Sequence, residues 1–479
     1  MHYAFKTKPY DHQMKALEKS WKKPEYGLFM EMGTGKSKVI VDTVAMLYDA
    51  GALEGVLIIA PKGVYRNWTN KEIPDHMPLH VSTRIATWRS GPTKAIKAEI
   101  NQLFHPNDDL NVLVMNIDAL ITKDGGMVAE KFLRGRAAMM IIDESTIIKS
   151  NVAKRTKAAI KLGELAKYRR ILTGSPVTKS PLDVYSQCEF LSPHLLGHSS
   201  FYGFRNRYAV TQKQNYGGRD FVQVTGYQNV EELQKLLGEF TYRVTKDECL
   251  DLPPKIFTRR EFDMTAEQKK VYEQMRRTAV AFLEEEGGAV SATSVIVQLL
   301  RLHQISCGVF PTDEGELIPL KHRRLEQLGE AIDEARGKII IWANYRHDIF
   351  LIKDYLDKTY TPEATVTYFG DTKDDDRVDA VTTFQDPKSP VRFFLGNTQT
   401  GGYGITLTEA NTVIYYSNNY DLEKRLQSED RAHRIGQHHP VTYVDLVCRE
   451  TVDEKIILAL RTKSSLAQAV TGDKWKSWI

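Results

Sequence analysis

Short, nearly continuous apolar runs punctuate the chain and alternate with longer stretches of helical period. In the first half they fall at Leu28–Met30, Val56–Ala60, Val112–Met115, Met139–Ile142 and Ile171–Thr173. In the second half they fall at Ile339–Trp342, Thr365–Phe369, Val391–Leu395, Val413–Tyr416 and Thr442–Val447. A strand with one face in water alternates apolar and polar residues, whereas a strand covered on both faces does not. These runs therefore predict buried parallel strands joined by right-handed helical crossovers. Their recurrence in both halves predicts an α/β fold with two doubly wound parallel-sheet lobes.

The middle of the chain reads differently. Residues 266–334 carry helix formers at heptad-like spacing, as in EQKKVYEQMRRTAVAFLEEE and VIVQLLRLHQ, interrupted by Gly287-Gly288. Asp251-Leu252-Pro253-Pro254 has the composition of a seam. The expected organisation is a first lobe over residues 1–250, a seam with a helical insertion over 251–334, and a second lobe over 335–479. The closing stretch TVDEKIILALRTKSSLAQAV predicts an amphipathic helix with Ile456, Ile457, Leu460 and Leu466 on one face, bracing a lobe.

A length of 479 residues accommodates two or three domains, and 42% hydrophobic residues supply their cores. The 65 Lys and Arg nearly balance 61 Asp and Glu, for a net charge of +4, so contact with nucleic acid would need a local groove. Cys188, Cys249, Cys307 and Cys448 form no CxxC pair, which disfavours disulfides and zinc ribbons and fits a reducing cytoplasm. The opening MHYAFKTKPYDHQ lacks the apolar core of a signal peptide, and no apolar run reaches membrane-spanning length. A cytoplasmic protein without membrane contact is expected.

Candidate chemistry begins in GLFMEMGTGKSKVIVDTVAMLYDAG, residues 27–51. A strand ending near Met30, a loop with Gly33, Thr34 and Gly35, and a helix opening at Lys36-Ser37 would cradle phosphate oxygens on backbone N–H groups. Lys36 would neutralise the β- and γ-phosphates of a nucleotide and Ser37 would ligate Mg²⁺. Met30 occupies the first glycine of the G-x-x-x-x-G-K-[ST] pattern, so the match is partial. In AAMMIIDEST a buried strand would deliver Asp143 and Glu144 to the sheet edge where α/β proteins bind ligands. Asp143 would hold the metal, through water, and Glu144 would activate the attacking water. Arg431 and Arg434 in LQSEDRAHRIGQHHPV are spaced to share a helical face, a spacing also common in surface salt bridges. His433, His438 and His439 lack a ligand cluster nearby and read as surface or DNA-facing residues.

Taken together, Gly33 to Ser37, Asp143-Glu144, Leu172-Thr173-Gly174-Ser175-Pro176 and Gln427 to Gln437 resemble the superfamily-two helicases, and more narrowly the Swi/Snf-type ATPases. The string DRAHRIGQ is the most specific element. LIIAPKGVYRNW, VLVMNIDAL, RVTKDECLDLPPK and GGYGITLTEANTVIYY extend the resemblance over almost the whole chain. It implies two RecA-like lobes, ATP and Mg²⁺, and closure of the lobes that steps the protein along nucleic acid, double-stranded or branched DNA above all, and it leaves room for an unidentified protein partner. By position it implies that Tyr10 and Gln13 read adenine and that Arg431 and Arg434 act as arginine fingers. It also implies that Gly404 and Gln427 lie near the nucleotide and that Lys62, Asn116, Ser175, Asn344, Thr398 and Gly401 touch the nucleic-acid backbone. Two departures stand out. Thr146 replaces the family's usual histidine, so coupling between nucleotide and DNA is expected to be wired differently, and Asn397-Thr398-Gln399-Thr400 replaces its usual Ser-Thr-Arg-Ala. With no accessory domain recognised, the chain resembles the compact bacterial or phage members. Two other functions use the same residues: a helicase that separates or anneals strands, and a nucleotide-switched clamp that does not hydrolyse.

Overall fold

The computed structural model describes residues 3–61, 65–89, 91–216, 219–285, 292–312, 314–401 and 405–471, so Lys62 and Gly404 lie outside the described residues. The chain forms two compact units, one chiefly from residues up to Asp251 and one chiefly from Leu252 to Ser464.

The strands of the first unit are β1 (Glu25–Met30), β2 (Gly55–Ala60), β3 (Thr83–Thr87), β4 (Leu110–Asn116), β5 (Ala138–Asp143) and β6 (Tyr168–Leu172). A hairpin of β7 (Ala209–Tyr216) and β8 (Arg219–Tyr227) precedes β9 (Thr241–Val244). The sheet runs β3-β4-β2-β5-β6-β1-β9 with every neighbouring pair parallel. Leu57 and Ile59 of β2 enter one core while Val56 and Ile58 enter another on the opposite face. Two covered faces explain the unbroken apolar runs. Edge strands β3 and β9 lack that signal, because TRIAT and TYRV mix polar and apolar residues.

The second unit holds β10 (Lys255–Phe262), the hairpin strands β11 (Val309–Pro311) and β12 (Leu317–Pro319), β13 (Lys338–Trp342), β14 (Thr365–Tyr368), β15 (Phe393–Gly396), β16 (Ala410–Tyr415) and β17 (Val441–Cys448). Its main sheet runs β10-β17-β16-β13-β15-β14, again all parallel. All ten strands predicted from apolar runs are present. Strand β10 falls within the stretch read as seam and insertion. It is an edge strand whose KIFTRREF mixes exposed and covered positions, with Ile256 in solvent, so no apolar run marks it.

Two helices flank the first candidate site, α1 (Asp11–Ser20) and α2 (Lys36–Asp49). Helix α2 closes as expected at Gly51, which is left-handed at φ +65°. The Gly51 N–H donates to Tyr48 O (2.8 Å) and the Ala52 N–H to Leu47 O (2.9 Å), the paired bonds of a Schellman cap. In the second unit come α3 (Ala266–Glu285), α4 (Ala292–Ser306), α5 (Arg324–Glu334), α6 (Leu422–Glu429) and α7 (Val452–Thr471). Ile456 and Leu460 of α7 pack with Leu422, and Ile457 is also buried; the side chain of Leu466 lies outside the described residues. Among the described residues no helix is long and apolar enough to cross a membrane.

Candidate functional site

Parallel topology puts the ends of β1, β5 and β6 at one edge of the first sheet, with β6 between the other two. The loop after β1 turns on Gly33 (φ +78°) and Gly35 (φ +87°), conformations that carry a steric cost for any residue with a Cβ. The Thr34 hydroxyl donates to Glu31 O (2.7 Å). Lys36 folds back over the loop, its Nζ donating to Met30 O (2.8 Å) and Glu31 O (3.3 Å). Ser37 follows in the first turn of α2, partly exposed.

Helix α1 clamps this loop. Gln13 Nε2 donates to Thr34 O (3.0 Å), and His12 Nε2 lies 2.7 Å from the same carbonyl. Gln13 Oε1 accepts the Tyr10 N–H (3.0 Å), and the exposed Tyr10 ring stacks on His12 at 5.9 Å between centroids. The structure thus brings Tyr10, Gln13, Gly33, Thr34, Gly35 and Lys36 together, and adds His12, which sequence reasoning passed over. From behind, the buried Arg170 of β6 donates to Ser20 O (2.9 Å), Lys23 O (2.7 Å) and Pro24 O (2.9 Å). This guanidinium gathers the carbonyl end of α1, where the helix dipole favours a cation. Burial pulls its pKa down to about 10.

At the end of β5, Asp143 Oδ2 accepts the indole N–H of buried Trp68 (2.8 Å) and Oδ1 accepts the Glu144 N–H (3.0 Å). Burial raises the Asp143 pKa above the ordinary carboxylate value, opposed by the Trp68 hydrogen bond and the charge of Lys36. Lys36 and Asp143 therefore share one electrostatic environment. Trp68 opens a π-helical turn, Trp68–Glu72, a rare conformation found often at functional sites. It closes the LIIAPKGVYRNW segment, yet nothing in the sequence assigns it to Asp143. Glu144 adopts φ +52°, left-handed for a residue with a Cβ. Its Oε1 accepts the Thr173 hydroxyl (2.7 Å), and Thr173 Oγ1 accepts the Ser175 N–H (3.1 Å). Thr146 is buried and its hydroxyl stands 3.5 Å from the same carboxylate oxygen. Asn116 Oδ1 caps the 3₁₀ turn Ile117–Ile121 by accepting the Ala119 N–H (2.9 Å), which gives that atom a local partner.

In the second unit α6 ends at Glu429, and Arg431 and Arg434 lie in the turns that follow. The expectation of one shared helical face is corrected accordingly. Buried Gln437 redirects the chain, its Nε2 donating to Thr408 O (3.0 Å), Ala410 O (2.9 Å) and Ala432 O (3.0 Å). The two arginines still converge: Arg431 Nη1 donates to Ile405 O (3.0 Å) and Arg434 Nη1 approaches it (3.4 Å). Arg431 Nε also donates to Gln427 O (2.8 Å). Gln427 is buried, its Nε2 on Glu423 Oε1 (3.2 Å) and its Oε1 without a hydrogen-bond partner among the described residues. His433, read as a surface or DNA-facing residue, is instead buried with Nε2 2.7 Å from Pro253 O, while His438 and His439 are exposed. Pro253 of the seam supplies this contact to His433 from 180 residues away in sequence.

Asn344, Thr398 and Gly401 gather at the C-terminal ends of β13 and β15. Asn397 Nδ2 donates to Asn344 O (2.8 Å), and the Asn344 N–H donates to Ser417 Oγ (2.8 Å). Thr398 and Gly401 are buried, and a Cβ on Gly401 would lie 2.5 Å from two ring atoms of Trp342.

Two doubly wound parallel sheets, the first carrying a glycine loop, a clamped lysine and two strand-end acids at one edge, define the RecA-like class of α/β folds. The chain belongs to the SNF2-related family: it matches the SNF2-related domain over residues 12–309 and the helicase conserved C-terminal domain over residues 323–436. It is similar to the SWI/SNF chromatin-remodeling complex subunit snf22 of Schizosaccharomyces pombe, 27% identical over 95% of this chain and 27% of that protein. The chromatin structure-remodeling complex subunit snf21 of the same yeast is 27% identical over 90% of this chain and 36% of its own length. The probable ATP-dependent DNA helicase CHR12 of Arabidopsis thaliana is 28% identical over 91% of this chain and 39% of its own. The chain thus spans only about a quarter to two fifths of these relatives. Among solved structures it is similar to the Sulfolobus solfataricus SWI2/SNF2 ATPase core in complex with dsDNA, with 25% identity, a TM-score of 0.44, and coverage of 98% of this chain and 95% of that one.

Proposed function

We propose that this protein is a nucleic-acid-stimulated ATPase motor that translocates on double-stranded DNA, hydrolysing ATP to ADP and phosphate. The observation that carries this reading is the meeting, at one sheet edge, of a phosphate-type loop with Lys36 and of two acids each held by a side-chain donor. In this reading Gly33 to Ser37 hold the phosphates, Tyr10 and Gln13 read the adenine, Glu144 orients and deprotonates water, and Arg431 and Arg434 offset charge in the transition state. Gln427 and Gly404 attend the nucleotide, and Lys62, Asn116, Ser175, Asn344, Thr398 and Gly401 attend the nucleic-acid backbone. Asp143 and Ser37 offer hard oxygen ligands, and among the described residues no cluster of three His, Cys, Asp or Glu side chains forms a closed cage. That donor set suits Mg²⁺, which keeps several waters and binds through one or two protein oxygens plus phosphates. When bound, the metal would neutralise charge on the β- and γ-oxygens.

The test is steady-state ATPase activity with no nucleic acid, single-stranded DNA, duplex, a fork and RNA, with Lys36→Ala as control. Strong stimulation by plain duplex is expected, and Lys36→Ala should abolish turnover. A preference for forks would indicate a branch-remodelling or annealing helicase, and a preference for single strands a separating one. ATP binding without turnover on any substrate would indicate a clamp.

A further inference from the structure

We infer that the outer edge of β10 is a docking site for an extended acidic peptide of a protein partner, which adds to the second sheet as a further strand and seats an apolar side chain between β10 and α7. None of the residues read as holding nucleotide takes part. Strand β10 ends the order of its sheet, and its eight residues pair with β17 on one side. Among the described residues no strand meets the N–H and C=O groups of the other side. An edge of this length is a template for main-chain hydrogen bonds from an added strand.

A cavity of about 390 Å³ lies along that edge. Consecutive side chains leave a strand on opposite faces, yet Phe257, Thr258 and Arg259 all line the cavity, so it meets the strand along its backbone. Ile457 and Leu460 of α7, both buried, supply a second wall, and Phe257 is held in place by stacking on Tyr443 at 5.1 Å between centroids. The volume falls at the small end of the range of ligand pockets, about 300–1,000 Å³, and accommodates an aliphatic side chain.

Charge selects the rest of the occupant. Arg425, Arg259 and Arg461 line the cavity against a single carboxylate, Asp445. Arg425 already takes both oxygens of Asp445, and its Nε donates to Glu429 Oε1 (2.8 Å). Arg259 and Arg461 therefore give the cavity its sign. Arg259 approaches Glu261 Oε1 only at 4.0 Å. Burial, and after it the charge of Arg259, pulls the Arg461 pKa down, with Asp445 opposing, so the two guanidiniums feel one another and a carboxylate placed beside them relieves both. Toward the helical cover of the sheet, Arg260 is already held by Glu330 (2.6 Å) and Glu334, which leaves the positive bias on the cavity side. A phosphodiester backbone would meet the arginines but brings no aliphatic group for Ile457 and Leu460. An extended peptide that alternates acidic and aliphatic residues satisfies the edge, the walls and the charge together.

The experiment titrates the full chain into a fluorescein-labelled peptide, Glu-Val-Glu-Leu-Glu-Val-Glu, by fluorescence anisotropy, and follows amide hydrogen exchange in the complex. Saturable binding is expected, with exchange slowed over residues 255–262. The peptides Lys-Val-Lys-Leu-Lys-Val-Lys and Glu-Ser-Glu-Ser-Glu-Ser-Glu should each bind at least about tenfold more weakly, one for lack of charge match and one for lack of an apolar anchor. Arg259→Glu and Arg461→Glu should each weaken the acidic peptide about tenfold or more with the melting temperature kept. If Arg461→Glu does not fold, Arg259→Glu and the peptide controls on the wild-type chain decide. Absence of saturable binding, equal binding of either control peptide, protection confined to other segments, or indifference to the arginine substitutions would each overturn the assignment. Displacement of the peptide by a single-stranded heptanucleotide at equal concentration would overturn it in favour of a nucleic-acid contact.

Discussion

Replacing Gly35 with alanine perturbs the glycine loop after β1 in two ways that can be separated. The backbone at Gly35 sits at φ +87°, where an L side chain costs about 1–2 kcal/mol. The new Cβ would also stand 2.1 Å from Gln13 Nε2, an impossible contact, so the Gln13 amide must leave its place. Leaving breaks its bonds to Thr34 O and from the Tyr10 N–H, each contributing about 1 kcal/mol. Gly35→Ala should therefore destabilise the first unit by about 3–4 kcal/mol. Gln13→Ala alone should cost about 2 kcal/mol, because His12 still reaches the Thr34 carbonyl. If the clash is the cause, the double variant has nothing left to displace and should be no less stable than Gly35→Ala, leaving the two changes non-additive by about 2 kcal/mol. Urea unfolding of the full chain provides the measurement, read at the transition that added nucleotide shifts upward in the wild type. Additivity of the two changes within about 0.5 kcal/mol would refute the reasoning, since Gln13 and Gly35 would then act independently.

Other consequences follow from the same geometry. Trp68→Phe removes a hydrogen bond to a charged group, so the Mg²⁺ concentration for half-maximal ATPase should rise about tenfold, and more at pH 6 than at pH 8 because Asp143 becomes harder to ionise; an unchanged Mg²⁺ titration would argue against this role. Arg431→Ala or Arg434→Ala should slow hydrolysis about 10³-fold with nucleotide binding retained, and loss of binding instead would make these residues ground-state ligands. Asp42, buried beside Lys38, is raised by burial from 3.8 to about 6. Because the folded state holds this proton more tightly than the unfolded chain, its stabilising share is complete below the unfolded value and is lost as pH rises through about 6. Asp42→Asn should therefore flatten the melting temperature between pH 4 and 7, and a profile identical to wild type would contradict the shift. Duplex affinity should fall steeply with salt if binding runs through phosphates, and a flat response would count against a phosphate-tracking groove.

Much of this protein was legible in its sequence, and the reason is covalent locality. The runs at Val56–Ala60 and Ile339–Trp342 announce buried parallel strands because both faces of each sheet are covered, and covering leaves a mark on every residue. The glycine loop after β1 reads directly because Gly33, Gly35 and Lys36 are neighbours in the chain and their conformational requirements are local. The edge strands β3, β9 and β10 escaped for the converse reason: β10 mixes exposed and covered positions, and its place beside β17 is a tertiary fact. Likewise the spacing of Arg431 and Arg434 suggested a helix, but Gln437 holds that segment in turns by gathering carbonyls from three places. The partners of the site residues lay furthest from view. Trp68 reaches Asp143 across 75 residues and Thr173 reaches Glu144 across 29. A hydrogen bond depends on where two atoms come to rest, and strand order alone put the ends of β5 and β6 side by side. Residue order thus assigns each group to its element, because those requirements are local; which groups hold one another in place follows only from the packing of stretches far apart in the chain.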